Sequence, residues 1–159
     1  MHITFLGATG TVTGSKYLLV VEGKKILIDC GLFQGFKQLR LRNWAPLPIQ
    51  PHEIDAVILT HAHLDHSGLL PALTREGFRG PVFTTTPTYD LLDVMLKDAA
   101  FLQEKDVEWE NKRRQRSGKE AVFPLYDMND VEQVLSLVKT LDYGQRHQVI
   151  SGIEVCFRD

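Results

Sequence analysis

The sequence predicts an α/β protein with packed layers. Three observations predict it. Short strand-like apolar runs recur along the chain, amphipathic stretches at helical spacing separate them, and Gly or Pro marks the junctions. The first strand is His2 to Gly7 (HITFLG). Lys16 to Val21 (KYLLVV) and Lys24 to Asp29 (KKILID), joined by Glu22-Gly23, read as a β-hairpin. Phe33 to Arg42 is expected to form a short helix, and Pro46, Pro48 and Pro51 mark a loop. Ala56-Val57-Ile58-Leu59 is wholly apolar, the pattern of a strand buried on both faces. Ser67 to Glu76 follows as a helix, with Leu69, Leu70 and Leu73 on one side.

Pro81 to Thr84 is a short strand. A long helix starts near Thr88, and Leu91, Leu92, Met95, Ala99 and Leu102 are expected on its buried face. Its continuation, Glu104 to Glu120, is highly charged, with acids first and bases later. Glu108/Lys112 and Glu110/Arg114 are i,i+4 pairs in the favourable order. Asp127 is a natural N-cap for a last helix striped by Val131, Val134, Leu135 and Val138. Gln148 to Phe157 reads as one or two strands.

At 159 residues the chain has the size of one globular domain, and at 43% hydrophobic it can bury a core. A formal net charge of −2 excludes the strongly basic signature of a dedicated nucleic-acid-binding domain but leaves room for a local basic patch. No apolar run has the length of a membrane span, and the N-terminus reads as a strand rather than a signal peptide. Two cysteines, Cys30 and Cys156, cannot make a disulfide framework. Each sits in an apolar run, so buried free thiols and a cytoplasmic location are expected.

The chemistry is concentrated in Leu59-Thr60-His61-Ala62-His63-Leu64-Asp65-His66-Ser67-Gly68. Imidazole nitrogen and carboxylate oxygen are the ligands that zinc and similar divalent ions take. His61 and His63, two apart, face the same way if extended geometry continues past the strand. Asp65 and His66 lie where the chain turns into a helix and can face a neighbouring position. Two adjacent metal sites follow. They sit just past a buried strand, where α/β folds place ligands. A hydrolase triad is the poorer reading of Asp65-His66-Ser67, because triad members converge from separated segments and no G-x-S-x-G elbow is present. Gly10 to Lys16 is not a phosphate loop, since its spacing differs and the Lys follows the Ser.

The run T-H-A-H-L-D-H-S-G resembles the signature of the metallo-β-lactamase fold. Phe5 to Ser15 (FLGATGTVTGS) and Leu27 to Gly35 (LIDCGLFQG) resemble the N-terminal half of its β-CASP branch, which contains RNA-processing nucleases. Asp98 to Tyr126 is also similar to bacterial and archaeal members of that branch. The resemblance implies the N-terminal half of an αββα sandwich, a mixed β-sheet with flanking helices. It implies two divalent metal ions, most simply Zn²⁺, with His61 and His63 at one site and Asp65 and His66 at the other. Asp65 would also orient the attacking hydroxide. Asp29 matches an acidic residue behind the metal site that orients the ligands; read from the residues alone, it equally suits a strand-end residue capping a turn. Where many relatives carry a histidine in the long helix, this chain has Phe101.

The same resemblance implies a third histidine in an A-G-H-x-x-G-S motif, a bridging Asp, a final histidine and an inserted β-CASP domain. None occurs in residues 1–159, so an incomplete metallo-β-lactamase domain, an N-terminal fragment, is expected. His2, His52 and His147 are expected at the surface. Missing ligands would come from self-association or a complementary C-terminal segment. The activity implied is ribonuclease hydrolysis of RNA phosphodiesters through a metal-activated water. Lys112, Arg113, Arg114 and Arg116 suit RNA phosphates, or a solvated helix face paired with the preceding acids. The alternatives are another hydrolase of this fold, acting on a thioester, lactone or lactam, a non-catalytic scaffold, and a fragment inactive on its own.

Overall fold

The computed structural model describes residues 1–158. A six-stranded mixed sheet runs in spatial order β1 (His2–Phe5), β2 (Tyr17–Val21), β3 (Lys24–Ile28), β4 (Ala56–Ile58), β5 (Val82–Thr85) and β6 (Val138–Leu141). The first three strands are antiparallel neighbours, and β3 to β6 are parallel. The hairpin forms as the sequence indicates, with Glu22 and Gly23 both at positive φ in its turn. Each parallel pair needs a crossover. These carry the helices α1 (Lys37–Leu41), α2 (Leu64–Ser67), α3 (Leu70–Arg75), α4 (Thr86–Arg116) and α5 (Met128–Ser136).

Alternation along the central strand divides the core. Val57 and Leu59 face the helical layer, packed with Leu70, Leu73, Leu92, Leu96, Val131 and Val134. Ala56 and Ile58 face the opposite side with Ile26 and Phe83. There they meet the hairpin β7 (His147–Ile150) and β8 (Ile153–Val155), through Val149, Ile150, Ile153 and Val155. Residues 56–58 are buried throughout, as a strand covered on both faces requires.

Five local expectations change. The helix anticipated over 67–76 is two, because the chain turns at Gly68-Leu69 and restarts with Pro71 in its first turn. On α4 the buried residues are Thr88, Leu92, Leu96, Ala99 and Ala100, while Leu91 and Leu102 are exposed. The buried face runs through Leu92 and Leu96 with Thr88, Ala99 and Ala100, so it is rotated away from Leu91 and Leu102. Asp127 does cap α5, accepting from the amides of Asn129 and Asp130, but Val138 belongs to β6 and not to that helix. Parallel pairing with Val82 outweighs the helical spacing there. At the surface, His2 and His52 are exposed, whereas His147 is half-buried and its Nε2 atom has no hydrogen-bond partner. Cys156 is half-buried, and Cys30 is buried.

Candidate metal centre

The motif leaves the C-terminal end of the central parallel strands. The Leu59 amide still bonds the Phe83 carbonyl, and then the chain departs through Thr60 to His63 into α2. That helix has only four residues, so its position is fixed from outside. The segment after β3 lies along it. Cys30 N donates to His66 O at 2.7 Å, Leu32 N to Leu64 O at 2.8 Å, and Ser15 N to Asp65 O at 2.8 Å. Gly31 makes this approach possible. A Cβ there would stand 1.6 Å from the Asp65 carbonyl oxygen, inside any contact distance.

Asp29 ends β3 at φ 58°, the left-handed region that Asp tolerates better than most residues. It is only 2% exposed, and four donors meet its carboxylate. The Thr60 amide and hydroxyl donate to Oδ1 at 2.9 Å each; the hydroxyl also lies 3.0 Å from Oδ2. Ser15 donates its hydroxyl to Oδ2 at 3.1 Å, and His66 Nδ1 lies 2.7 Å from the same oxygen. An ionised carboxylate only accepts, so His66 carries its proton on Nδ1 and keeps the Nε2 lone pair. The Thr60 hydroxyl has one proton, spent on Asp29. Its oxygen therefore accepts from His61 Nδ1, 3.0 Å away, which frees His61 Nε2 as well. One buried carboxylate thus sets the tautomer of two imidazoles.

The rings converge. The centroid of His61 is 4.0 Å from that of His66 and 4.8 Å from that of His63. Burial, and then the neighbouring His66 and His63, hold His61 below its ordinary pKa and favour the neutral, ligating form. His63 is exposed. Asp65 Oδ2 lies 3.7 Å from His66 Nε2. Two ligand atoms of a tetrahedral ion with bonds of about 2.1 Å stand about 3.4 Å apart, so this pair fits one divalent cation in chemistry and spacing. The number of donors is smaller than a closed site needs: among the described residues, no three His, Cys, Asp or Glu side chains are grouped to hold an ion. Cys30 is buried, and that burial pushes its thiol up to about 12. Ser67 is fully buried and donates to the Ala62 and His63 carbonyls, which leaves no nucleophile for a triad.

Residues 9–83, a span that contains Asp29, His61, His63, Asp65 and His66, match the metallo-beta-lactamase superfamily. That stretch of the chain is similar to this superfamily. The chain is 41% identical over 145 residues to the ribonuclease TTHA0252 of Thermus thermophilus, a match covering 91% of this chain and 29% of that protein. It is 34% identical over 148 residues to the transcription termination factor FttA of Cenarchaeum symbiosum, covering 91% of this chain and 20% of the relative. The chain therefore spans less than a third of these curated relatives. A solved Cronobacter sakazakii metallo-beta-lactamase with a HARLDQ motif aligns at TM-score 0.47 and 20% identity, over 87% of this chain and 41% of that one.

The basic run at the end of α4 is largely paired within the helix. Lys112 bonds Glu108 at 2.8 Å, and Arg113 and Arg114 both reach Glu110. Arg116 has no ion pair among the described residues. The motif did not advertise Ser15 and Thr60 as partners of Asp29. Thr60 could have been found as the hydroxyl residue next to His61. Ser15 carries no sequence signal, because only the fold brings β2 to Asp29.

Proposed function

We propose that this chain is the metal-binding portion of a two-metal ribonuclease. The observation that carries it is the tautomer assignment, by which the buried Asp29 carboxylate leaves both His61 and His66 with Nε2 available. His61 and His63 would hold one divalent ion, and Asp65 and His66 the other. Zinc is the metal most at home with such a nitrogen and carboxylate set. When bound, the ions supply Lewis acidity and water activation. The chain's own residues do the rest. Asp29 fixes the imidazoles against rotation, Thr60 relays that constraint to His61, and Asp65, beside His66, would both ligate and orient the attacking hydroxide.

RNA as substrate is supported by relatives named as a ribonuclease and as a transcription termination factor. Membership of the β-CASP branch is supported by the flanking segments at 5–15 and 27–35. The reading takes residues 1–159 as an incomplete metallo-β-lactamase domain. The remaining donors come from a further segment or a second copy, and the work is done in the cytoplasm. No helix of the described residues is long and apolar enough to cross a membrane. Lys112, Arg113, Arg114 and Arg116 contribute a secondary phosphate contact, weakened by their acidic partners.

The test has two parts. Metal per chain is measured by plasma mass spectrometry, and hydrolysis of single-stranded RNA is compared with hydrolysis of a chromogenic lactam. Metal-dependent cleavage of RNA and not of the lactam is expected. Lactam cleavage without RNA cleavage would remove the reading.

A further inference from the structure

A different surface is better built for a polyanion than the α4 run. No acidic residue occurs between Asp29 and Glu53, although the whole chain is net acidic. Within that stretch, Phe36-Lys37-Gln38-Leu39-Arg40-Leu41-Arg42-Asn43-Trp44 carries three cations and two aromatics. Lys37 and Arg40 are exposed and form no ion pair among the described residues. Phe36 is 85% exposed and Trp44 59% exposed. The segment is nonetheless anchored. The Asn43 side chain accepts from Phe33 N at 2.7 Å and donates to Phe33 O at 2.9 Å, and the Arg42 guanidinium sits 4.2 Å over the Phe33 ring. Arg40 and Trp44 line a groove of about 330 Å³ with Leu32, Gln34, Gln103 and Leu125. Its Leu32 wall is hydrogen-bonded to Leu64, the residue before Asp65, so the groove runs beside the metal motif.

We propose that the Phe36–Trp44 segment is the platform on which single-stranded RNA lies as it enters the metal site. The proposal rests on the ribonuclease reading for its substrate. Lys37 and Arg40 take backbone phosphates, and Trp44 and Phe36 stack bases, the combination that binds single strands without reading sequence. Charge separates this surface from α4, where Lys112, Arg113 and Arg114 are already paired with Glu108 and Glu110.

The experiment titrates a fluorescent single-stranded RNA 12-mer with the chain by anisotropy at several salt concentrations. Variants are K37E/R40E, W44A and, as comparison, K112E/R113E. All these sites are exposed, and far-UV circular dichroism checks their folding. Trp44→Ala should weaken binding about tenfold. The K37E/R40E pair should weaken it further and reduce the salt slope by about 1.4. K112E/R113E should weaken binding less than K37E/R40E, because Glu108 and Glu110 already pair with these two cations. Unchanged affinity in both platform variants, no RNA binding by the wild type, or altered sedimentation in place of altered affinity would each overturn the platform. Cleavage by the wild type is scored separately. Binding that depends on Lys37 and Arg40 without cleavage keeps the platform and removes the ribonuclease; cleavage with indifferent variants does the reverse.

Discussion

Asp29 Oδ2 stands 2.7 Å from His66 Nδ1, and this contact joins the end of one strand to a helix of four residues that carries half of the metal motif. Its orientation cannot be exchanged for an amide. In Asp29→Asn the side-chain nitrogen donates, so His66 is driven toward the tautomer with its proton on Nε2. Zinc affinity, measured by competition with a chromogenic chelator, should fall roughly 10- to 100-fold. Asp29→Ala should also cost about 2–4 kcal/mol of metal-free stability, because the Thr60 amide and the Ser15 hydroxyl lose their acceptor. Equal zinc affinity in the Asn variant would show that the tautomer is not set here.

Gly31 and Gly23 are both glycines in short connections, yet substitution should affect them differently. At Gly31 an added methyl meets the Asp65 carbonyl at 1.6 Å, and only displacement of the motif helix relieves it. Gly23 sits at φ 79° with nothing near the added methyl. Gly23→Ala should cost about 1 kcal/mol, the ordinary penalty of a left-handed alanine. Gly31→Ala should cost more than twice that by backbone displacement and weaken metal binding as well. Urea unfolding of the two variants decides it; equal losses would mean that α2 yields freely.

The cluster of ligand-type residues and the parallel core are legible because both are written locally. The spacing of His61, His63, Asp65 and His66, and the unbroken apolar run of 56–59, need no partner to be read. What the sequence hid depends on contact between distant segments. The role of Asp29 is the clearest example. Its alternatives, turn cap or ligand-orienting acid, separate only when Thr60 and His66 are seen on its oxygens, 31 and 37 residues away. Val138 lies in β6 and not in the last helix because one valine fits a helical stripe and a parallel strand equally well, and pairing with Val82 decides. The cations at 37, 40 and 42 are scattered and carry no contiguous signal, whereas the basic run at 112–116 is conspicuous, yet Lys112, Arg113 and Arg114 are paired with Glu108 and Glu110.

Tyr126 offers a pH experiment on the core. Its side chain is fully buried, and its hydroxyl has no hydrogen-bond partner, Gln103 approaching it without hydrogen-bond geometry. Burial pushes the phenol up to about 12 from its ordinary 10. The unfolded chain releases this proton first. Stability is therefore fully present below pH 10 and falls as the pH rises from 10 toward 12. Tyr126→Phe should remove that part of the alkaline slope and, by deleting an unpaired buried hydroxyl, stabilise the protein by about 1 kcal/mol at neutral pH. Thermal unfolding at pH 7, 10 and 11.5 measures both. A Phe variant as sensitive to alkali as the wild type would show that another group carries the slope.

His63 and His66 separate ligation from architecture. His63 is exposed, and none of its ring atoms is hydrogen-bonded among the described residues, so His63→Ala should leave metal-free stability within about 0.5 kcal/mol of wild type. His66→Ala removes the charge-assisted partner of Asp29 and should cost about 2 kcal/mol even without metal. Added zinc stabilises only what binds it, by about 2.7 kcal/mol at a hundredfold excess over the dissociation constant. The zinc-induced rise in Tm should therefore shrink in both variants, while the metal-free Tm falls only in His66→Ala. A His63→Ala variant that keeps the full zinc shift would exclude His63 from the metal site. It would leave the Asp65 and His66 pair, with its 3.7 Å separation, as the ligand set this chain supplies.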